Sequence, residues 1–576
     1  MLLKINYNKR EMKTKVKKYM TKENIIIVAV IILSVLMSSL FVFDKILYKG
    51  VDTEYHLSRI MGIVNSWKTG NIPAYIHTDT NGFGYAMGFF YGNISVLLPC
   101  LLYLVGTNLI VAYKIFIVVC GFGTAVSMYV CSKKISGSKY AGTISAVLYT
   151  TCSYRIIALV TKAFIGEVLS FIFIPIIILG LYELIFNDEK KWWILSLGFV
   201  GILNSNLVMT EIMIAISAVM VICNIKEIIT NKKRLLGFIK ATIWALLISA
   251  AFWMPMLEQL KNNKFQMTTL MENYKPTRWL LDIEKIFSGT IQYKNNMAAA
   301  YGSGFIFAII IVLRLFVKEN NKATKFCDIS LFTGLILLLC MTKYFPWKKI
   351  IKIGEMIQFP SRMEIPVSAF FSIGCGIICH YISNKNEKKR KLLFIAILIF
   401  QCVFSVLYLK SCVKALEKYN GVDSKEQLEI EEDFIYNICD GVYLPEGAED
   451  DAFDEIKASR YEIEEKYEDN NRSLKWEHSR NGLNETIKFS NNNYEDTYIE
   501  IPRYYYYGYT AESEDGKIKY KIEKTEKGFI RIYLGRAKEE TVRLYYKKTA
   551  IQRISILISI ITIISSMLIF GYKYKK

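Results

Sequence analysis

Asp52, Glu54 and His56 occupy alternate positions of one short run, Asp52-Thr53-Glu54-Tyr55-His56, and Arg59 follows one turn later. Two carboxylates, an imidazole and a guanidinium this close can abstract a proton, hold a divalent cation or pair with an anionic ligand. On an extended chain Asp52 and Glu54 point the same way, which suits a shared Mg or Mn ion, or a base beside its orienting neighbour. The run lies just past the first apolar stretch, Ile25 to Phe43. A carboxylate at a bilayer edge is costly to desolvate, so it faces a cavity, a cation or a ligand's charge; the plainer reading is a polar marker of the water interface. From Tyr55 to Trp67 the pattern predicts a short amphipathic helix lying along the outer surface.

Two later segments carry complementary charge. Arg155, after Tyr154, and Lys162 precede Gly166-Glu167; the two cations suit a phosphate or pyrophosphate, and Glu167 suits orienting an acceptor or one of those cations. The alternative is an ordinary salt bridge at a span entrance. Arg362 follows Gln358-Phe359-Pro360-Ser361 at the start of another apolar block, where it either meets the same anion or snorkels to the interface.

The elements that must position these residues are membrane spans. Hydrophobic residues make up 52% of the 576, mean hydropathy is +0.25, and the apolar material falls into blocks near the roughly 20 residues that cross a hydrocarbon core. Lys and Arg collect in the N-terminus, 133–139, 226–234, 318–325, 385–391 and 573–576. Placing all of these inside gives about twelve crossings with both termini cytoplasmic. Parity then leaves Met87 to Gly106 interfacial or re-entrant. The segments left outside are 44–86, 153–167, 257–302, 343–362 and 411–548. The domain reading is a basic cytoplasmic stretch 1–24, a transmembrane domain 25–410 with first outer loop 44–86, an extracytoplasmic soluble domain 411–549, and a last span with basic tail, 550–576. The soluble part opens on an acidic, helical stretch from Glu429 to Glu468. Strand-like runs follow at Thr497–Pro502, Lys517–Glu523, Gly528–Leu534 and Thr541–Tyr546, with turns at Asp515-Gly516 and Lys527-Gly528. The tyrosines from Tyr504 to Tyr507, with Tyr509, read first as strand core and interfacial anchors, and second as stacking faces for sugar rings.

Several function classes drop out. The net charge of +20 is spread over loops that flank spans, so topology and anionic headgroups account for it without nucleic acid. Four histidines and no CxxC offer no zinc site. No GxxxxGK loop is present to cradle a nucleotide phosphate. Ten of the twelve cysteines lie in or beside apolar blocks, and Cys412 and Cys439 are equally readable as a disulfide or as free thiols.

The run Asp52 to His56 with Arg59, Gly70-Asn71-Ile72-Pro73, Gly82-Phe83-Gly84-Tyr85 and Phe89-Phe90-Tyr91 resembles the first outer loop of bacterial polytopic proteins of the GT-C glycosyltransferase superfamily. The likeness is to the YfhO-like group, also labelled 6-pyruvoyl-tetrahydropterin synthase-related membrane proteins. Gly137-Ser138-Lys139-Tyr140-Ala141-Gly142, Tyr154-Arg155, Gly166-Glu167, Trp253-Met254-Pro255, Phe345-Pro346-Trp347, Gln358-Phe359-Pro360 with Arg362, and Ile501-Pro502 with Tyr504-Tyr505-Tyr506 continue it in order. Two positions depart from the pattern, Asn206 after Ser205 and Ser361 after Pro360. The resemblance implies a GT-C-like, α-helical polytopic protein of the plasma membrane with a small mainly-β domain before the last span. It implies transfer of a sugar from a polyprenyl-phosphate carrier to an envelope glycan, lipid or protein on the outer face. Asp52 maps onto the acidic base or cation ligand, Glu54 and His56 support it, and Arg59, Arg155, Lys162, Glu167 and Arg362 hold substrate. The competing readings are a transporter or flippase of a lipid-linked glycan, which calls for inverted repeats and midplane charges, and a non-catalytic envelope scaffold.

Overall fold

The computed structural model describes residues 21–77, 82–271, 277, 280, 291–294, 297–300, 305–383, 386–429, 441–448, 467–471, 474–491, 497–534 and 539–575. The expected basic stretch before Thr21, Cys439 and most of the expected acidic helical stretch lie outside these residues.

Among the described residues, six helices are long and apolar enough to cross a membrane: Leu109–Ser136, Ile165–Phe186, Lys322–Cys340, Pro360–Ser383, Glu387–Asn420 and Ala550–Ile569. Two bent pairs, Lys139–Thr150 with Ser153–Val160 and Lys232–Ile248 with Ala250–Asn262, raise the number to eight. Six to eight candidate spans among the described residues stand against the expected twelve crossings. Several apolar blocks fold as short helices such as Asn93–Leu104, Leu207–Cys223 and Phe307–Phe316, and hydropathy alone does not separate these from spans. The stretch expected to be re-entrant is indeed broken, into Met87–Phe90, Asn93–Val96 and Leu97–Leu104.

Burial ranks the long helices. The apolar windows of Ile165–Phe186 and Pro360–Ser383 are each 83% buried, against 28% for Glu387–Asn420 and 22% for Ala550–Ile569, so the first two are central and the last two peripheral. Close packing around the centre uses glycine: a Cβ on Gly180 would lie 2.5 Å from the Leu195 backbone, and one on Gly376 would lie 2.5 Å from the Ala141 carbonyl oxygen. The basic loops gather at one end of the bundle. Lys139 bonds Glu23 at 3.0 Å, Tyr140 donates to the Arg390 carbonyl at 3.0 Å, and Asn321 donates to the Tyr381 hydroxyl at 2.7 Å. The other end carries the first outer loop.

Residues after Gly421 form two antiparallel sheets. One has the order Glu468–Asp469, Thr497–Tyr504, Phe529–Leu534, Ile522–Lys524; the other has the order Lys475–Asn481, Asn484–Ser490, Glu540–Tyr546, Tyr509–Ser513, Lys519–Tyr520. Three of the four expected strand runs are single strands; the fourth, Lys517–Glu523, breaks into Lys519–Tyr520 and Ile522–Lys524, which join different sheets. The hairpin 475–490 was not expected, because Lys475–Asn481 is too polar to read as a strand; Gly482, at φ +59°, makes its turn, and Asn481 pairs with Asn484. The boundary expected at 411 falls inside a helix that continues to Asn420.

The β region does not hang free. Phe83 stacks on Phe529 with ring centroids 5.8 Å apart, and its carbonyl accepts the Tyr504 N–H at 2.8 Å. Tyr55, Tyr85, Phe89 and Phe90 of the outer loop share one apolar core with Ile501, Tyr506 and Leu544. Gln259 clasps the Tyr507 backbone, donating to its carbonyl at 2.7 Å and accepting its N–H at 3.1 Å. Tyr504 and Tyr506 are buried in this core, as the strand-core reading of the tyrosines expected.

Phe83→Ala removes a buried ring from this joint, and a loss of about 3–5 kcal/mol is expected. Limited proteolysis of the purified chain should then cleave 420–550 at protease levels that leave the wild type intact.

Candidate functional site

The 50–52 segment lies along the chain at 160–162. Val51 and Asp52 donate their N–H groups to the Thr161 and Lys162 carbonyls, each at 3.0 Å, and a Cβ on Gly50 would come within 2.7 Å of the Val160 oxygen. Glycine at 50 is what permits this approach. Thr53 holds the turn from the other side, accepting the Gly50 N–H at 3.0 Å and donating to the Tyr48 carbonyl at 3.2 Å. The chain then enters the helix Thr53–Lys68 with Asp52 as its N-cap residue. The acidic loop is thus tied by backbone to the cationic one.

Lys162 opens a chain of contacts. Its ammonium donates to the Tyr154 hydroxyl at 3.1 Å, and that hydroxyl donates to Glu167 Oε2 at 2.9 Å. Glu167 Oε1 accepts from Arg362 Nε at 2.8 Å, and Arg362 Nη1 donates to Gln358 Oε1 at 2.6 Å. Ser361 bonds the same Tyr154 phenol. Glu167 is 1% exposed and Arg362 9%, so the pair is shielded from water. Burial pushes the Lys162 ammonium below its ordinary range, while Glu167 pulls it upward and Arg362 opposes that; the Asp52 charge also reaches it. Ala163 and Gln358, the non-glycine residues with positive φ among those described (+54° and +61°), flank the two cations. Strained backbone of this kind is found where side chains are held for a task.

Tyr91 forms the next wall. Its hydroxyl accepts the Gly166 N–H at 3.1 Å, and a Cβ at Gly166 would collide with it at 2.3 Å. The same Cβ would be 3.0 Å from Asn206 Nδ2, so both positions that depart from the family pattern, Asn206 and Ser361, border this network.

The remaining expected residues divide differently. Glu54 pairs with Lys49 at 2.8 Å. Asp52 caps a helix and Glu54 sits in its first turn, so the extended geometry that would aim both at one cation is absent. Among the described residues no group of three or more His, Cys, Asp or Glu is placed to hold a metal ion. The helix itself is not on the surface: Tyr55, His56, Leu57, Arg59, Ile60 and Ile63 are buried, because the β region and the 74–96 segment cover its outer side.

Arg59 is a structural tie. Its Nη2 donates to the Tyr91 and Gly92 carbonyls and to the Ser95 hydroxyl at 3.1, 2.6 and 2.9 Å, and its guanidinium lies 4.2 Å from the Tyr91 ring centroid. His56 packs edge-on to Tyr91, and burial with the Arg59 charge holds it well below the usual histidine range. Arg155 is turned into the bundle, donating to the Ser38 hydroxyl at 2.9 Å and the Thr150 carbonyl at 3.1 Å. It stands apart from Lys162 and Arg362, against Gly121 of the Leu109–Ser136 helix.

Sequence reasoning did not find Tyr154 as the bridge or Tyr91 as the wall. The available signal was slight: a phenol eight residues before a lysine on a short apolar helix.

The family model described as bacterial membrane protein YfhO matches residues 77–421. An uncharacterized protein of Lactococcus lactis subsp. cremoris is 24% identical over 573 residues, covering 91% of each chain. The mycobacterial arabinofuranosyltransferase AftD aligns with a TM-score of 0.39 and 12% identity over 67% of this chain, which spans 26% of AftD. The oligosaccharyltransferase AglB of Archaeoglobus fulgidus, solved with an inhibitory peptide and a dolichol-phosphate, gives a TM-score of 0.33 and 11% identity over 76% of this chain and 60% of AglB.

Glu167→Gln leaves Arg362 buried without its carboxylate, and a loss of about 3–5 kcal/mol is expected. Pairing it with Arg362→Met should recover part of that loss, as a double-mutant cycle on thermal unfolding would show. A second expectation concerns pH. His56 and His77, the latter pushed down to about 3 by burial, are neutral when folded. The unfolded chain takes up protons below about pH 6.5, so stability present above that value falls as pH drops, by up to about 1.4 kcal/mol per unit and histidine. Unfolding midpoints of wild type and His56→Gln between about pH 5 and 8 should differ in slope.

Proposed function

The chain belongs to the family of the bacterial membrane protein YfhO and is embedded in a membrane, and on that footing we propose that it is a glycosyltransferase. It takes a sugar from a polyprenyl-phosphate carrier and delivers it to an envelope glycan, lipid or protein at the extracytoplasmic face of the plasma membrane. The observation that carries this reading is the convergence of Asp52, Lys162 and Arg362 at one end of the bundle, with a buried carboxylate fixing the arginine. The gathering of basic loops at the opposite end supports a cytoplasmic orientation for that end.

The chemistry follows from charge. The acceptor hydroxyl oxygen attacks the anomeric carbon, its proton passes to the Asp52 carboxylate, and the bond from that carbon to the carrier-phosphate oxygen breaks with its electron pair leaving on the phosphate. Lys162 and Arg362 stabilise the leaving phosphate, worth most where water is excluded. Glu167 is a positioning residue: it holds the Arg362 fork and, through Tyr154, the Lys162 ammonium. His56 and Glu54 are left with supporting roles, the first in packing against Tyr91 and the second in its pair with Lys49. Arg155, withdrawn into the bundle, takes no part.

Asp52→Asn removes the base at nearly constant shape, and transfer should drop by about a hundredfold or more. A deletion strain complemented with wild type or Asp52→Asn at matched expression is compared by mass spectrometry of envelope lipids, polymers and surface glycoproteins. A glycan restored only by wild type supports transfer and names the product. Equal restoration would refute the base role and favour a flippase of a lipid-linked glycan.

A further inference from the structure

At the end of the bundle away from Asp52, three helices line an open-sided cavity of about 290 Å³, with Glu23, Ile26, Lys139, Tyr140, Arg390 and Phe394 among its walls. The helices are Lys22–Ser38, Lys139–Thr150 and Glu387–Asn420. The chain continuing past the second reaches Lys162, and the third ends where Asn420 donates to the Lys49 carbonyl at 3.3 Å, so cavity and candidate site sit at opposite ends of the same elements. We propose that this cavity binds the phosphate headgroup of an anionic phospholipid.

The charges argue for an anion. Lys139 is answered by Glu23 at 3.0 Å and by the Asn24 side-chain oxygen Oδ1 at 2.9 Å, and Lys391 by Glu387 at 2.8 Å. Arg390 makes no direct ion pair among the described residues, although the Glu387 charge reaches it; its guanidinium sits 6.0 Å from the Tyr140 ring centroid, half-buried at the cavity wall. Three cations, Lys139, Arg390 and Lys391, share two carboxylates, Glu23 and Glu387, and the guanidinium left without a direct ion pair suits a phosphate, since its planar fork matches phosphate oxygens in pairs. The volume is close to the roughly 300 Å³ lower bound of small-ligand cavities.

The walls argue for a lipid as the source. Ile26 and Phe394 make one side apolar. Ile25, Leu392 and Ile395, on the same two helices, present 52%, 70% and 50% of their surfaces outward, where only acyl chains would cover them at no cost. Basic pockets between membrane helices beside basic loops hold lipid headgroups in this way. A site at this end would fasten the three helices that run to the candidate site, and it does not depend on the transfer reading.

The test uses the full chain in mild detergent and counts retained lipid by native mass spectrometry, with phosphatidylglycerol, phosphatidylcholine or inorganic phosphate supplied at equal concentration and ionic strength. Phosphatidylglycerol should be retained in preference to phosphatidylcholine. Arg390→Gln should lower that retention about tenfold, the loss of one charge-assisted guanidinium contact, with Arg390→Lys in between. Equal retention of the two lipids, undiminished retention by Arg390→Gln, or displacement of the lipid by inorganic phosphate would each overturn the proposal. If Arg390→Gln does not fold, the wild-type comparison of the two lipids and the phosphate competition still decide it.

Discussion

A carboxylate inside an apolar bundle has to be answered by charge, and Glu167 sets the terms for everything around it. It sits near the start of one of the two central helices with 1% of its surface exposed. An isolated ion there would lose several kcal/mol of hydration. Its two oxygens are therefore taken by Arg362 and Tyr154, and Tyr154 in turn accepts from Lys162. Each of these residues belongs to a different stretch of chain, so satisfying one carboxylate fixes the relative placement of the 153–160 helix, the loop at 161–164 and the entry to the Pro360–Ser383 helix. Such a pair adds little net stability against an apolar substitute. What it provides is a defined geometry, and it holds two cations where hydrophobic packing alone would not.

The second constraint comes from outside the bundle. The outer loop and the β region bury one another's aromatic residues in a common core, and the loop contributes Tyr91 to the site from the same segment that contributes Phe89 and Phe90 to that core. The joint between loop and β region and the wall that Tyr91 gives the site are thus built from one short segment, 89–91.

The comparison of sequence with structure turns on range. The strands after Thr497 were legible because alternation and glycine turns are local signals, and Gly516 and Gly528 do take positive φ. The polar hairpin from Lys475 was not, because Lys475–Asn481 is an edge strand with no buried residue, held by pairing with Asn484–Ser490. Crossing number was not legible, because apolar length says that a block is buried without saying whether lipid or protein buries it. The Thr53–Lys68 helix shows the same limit: its period was readable, but its depth depended on cover from the 74–96 segment and the bundle and, at Tyr55, from a β region encoded more than 400 residues later.

The sequence by itself determined that this chain enters a membrane, which residue types meet at its polar loops and which ends of the apolar blocks carry positive charge, since these depend on local composition and on the cost of moving charge through lipid. Only the tertiary structure decided which charges meet. Lys162 and Arg362 share one buried carboxylate, whereas Arg155, just as cationic in sequence, is turned to Ser38, and Glu54, two residues from Asp52, is turned to Lys49. The reason is that Coulomb energy in a low-dielectric interior falls with distance in space, and folding sets that distance independently of separation along the chain.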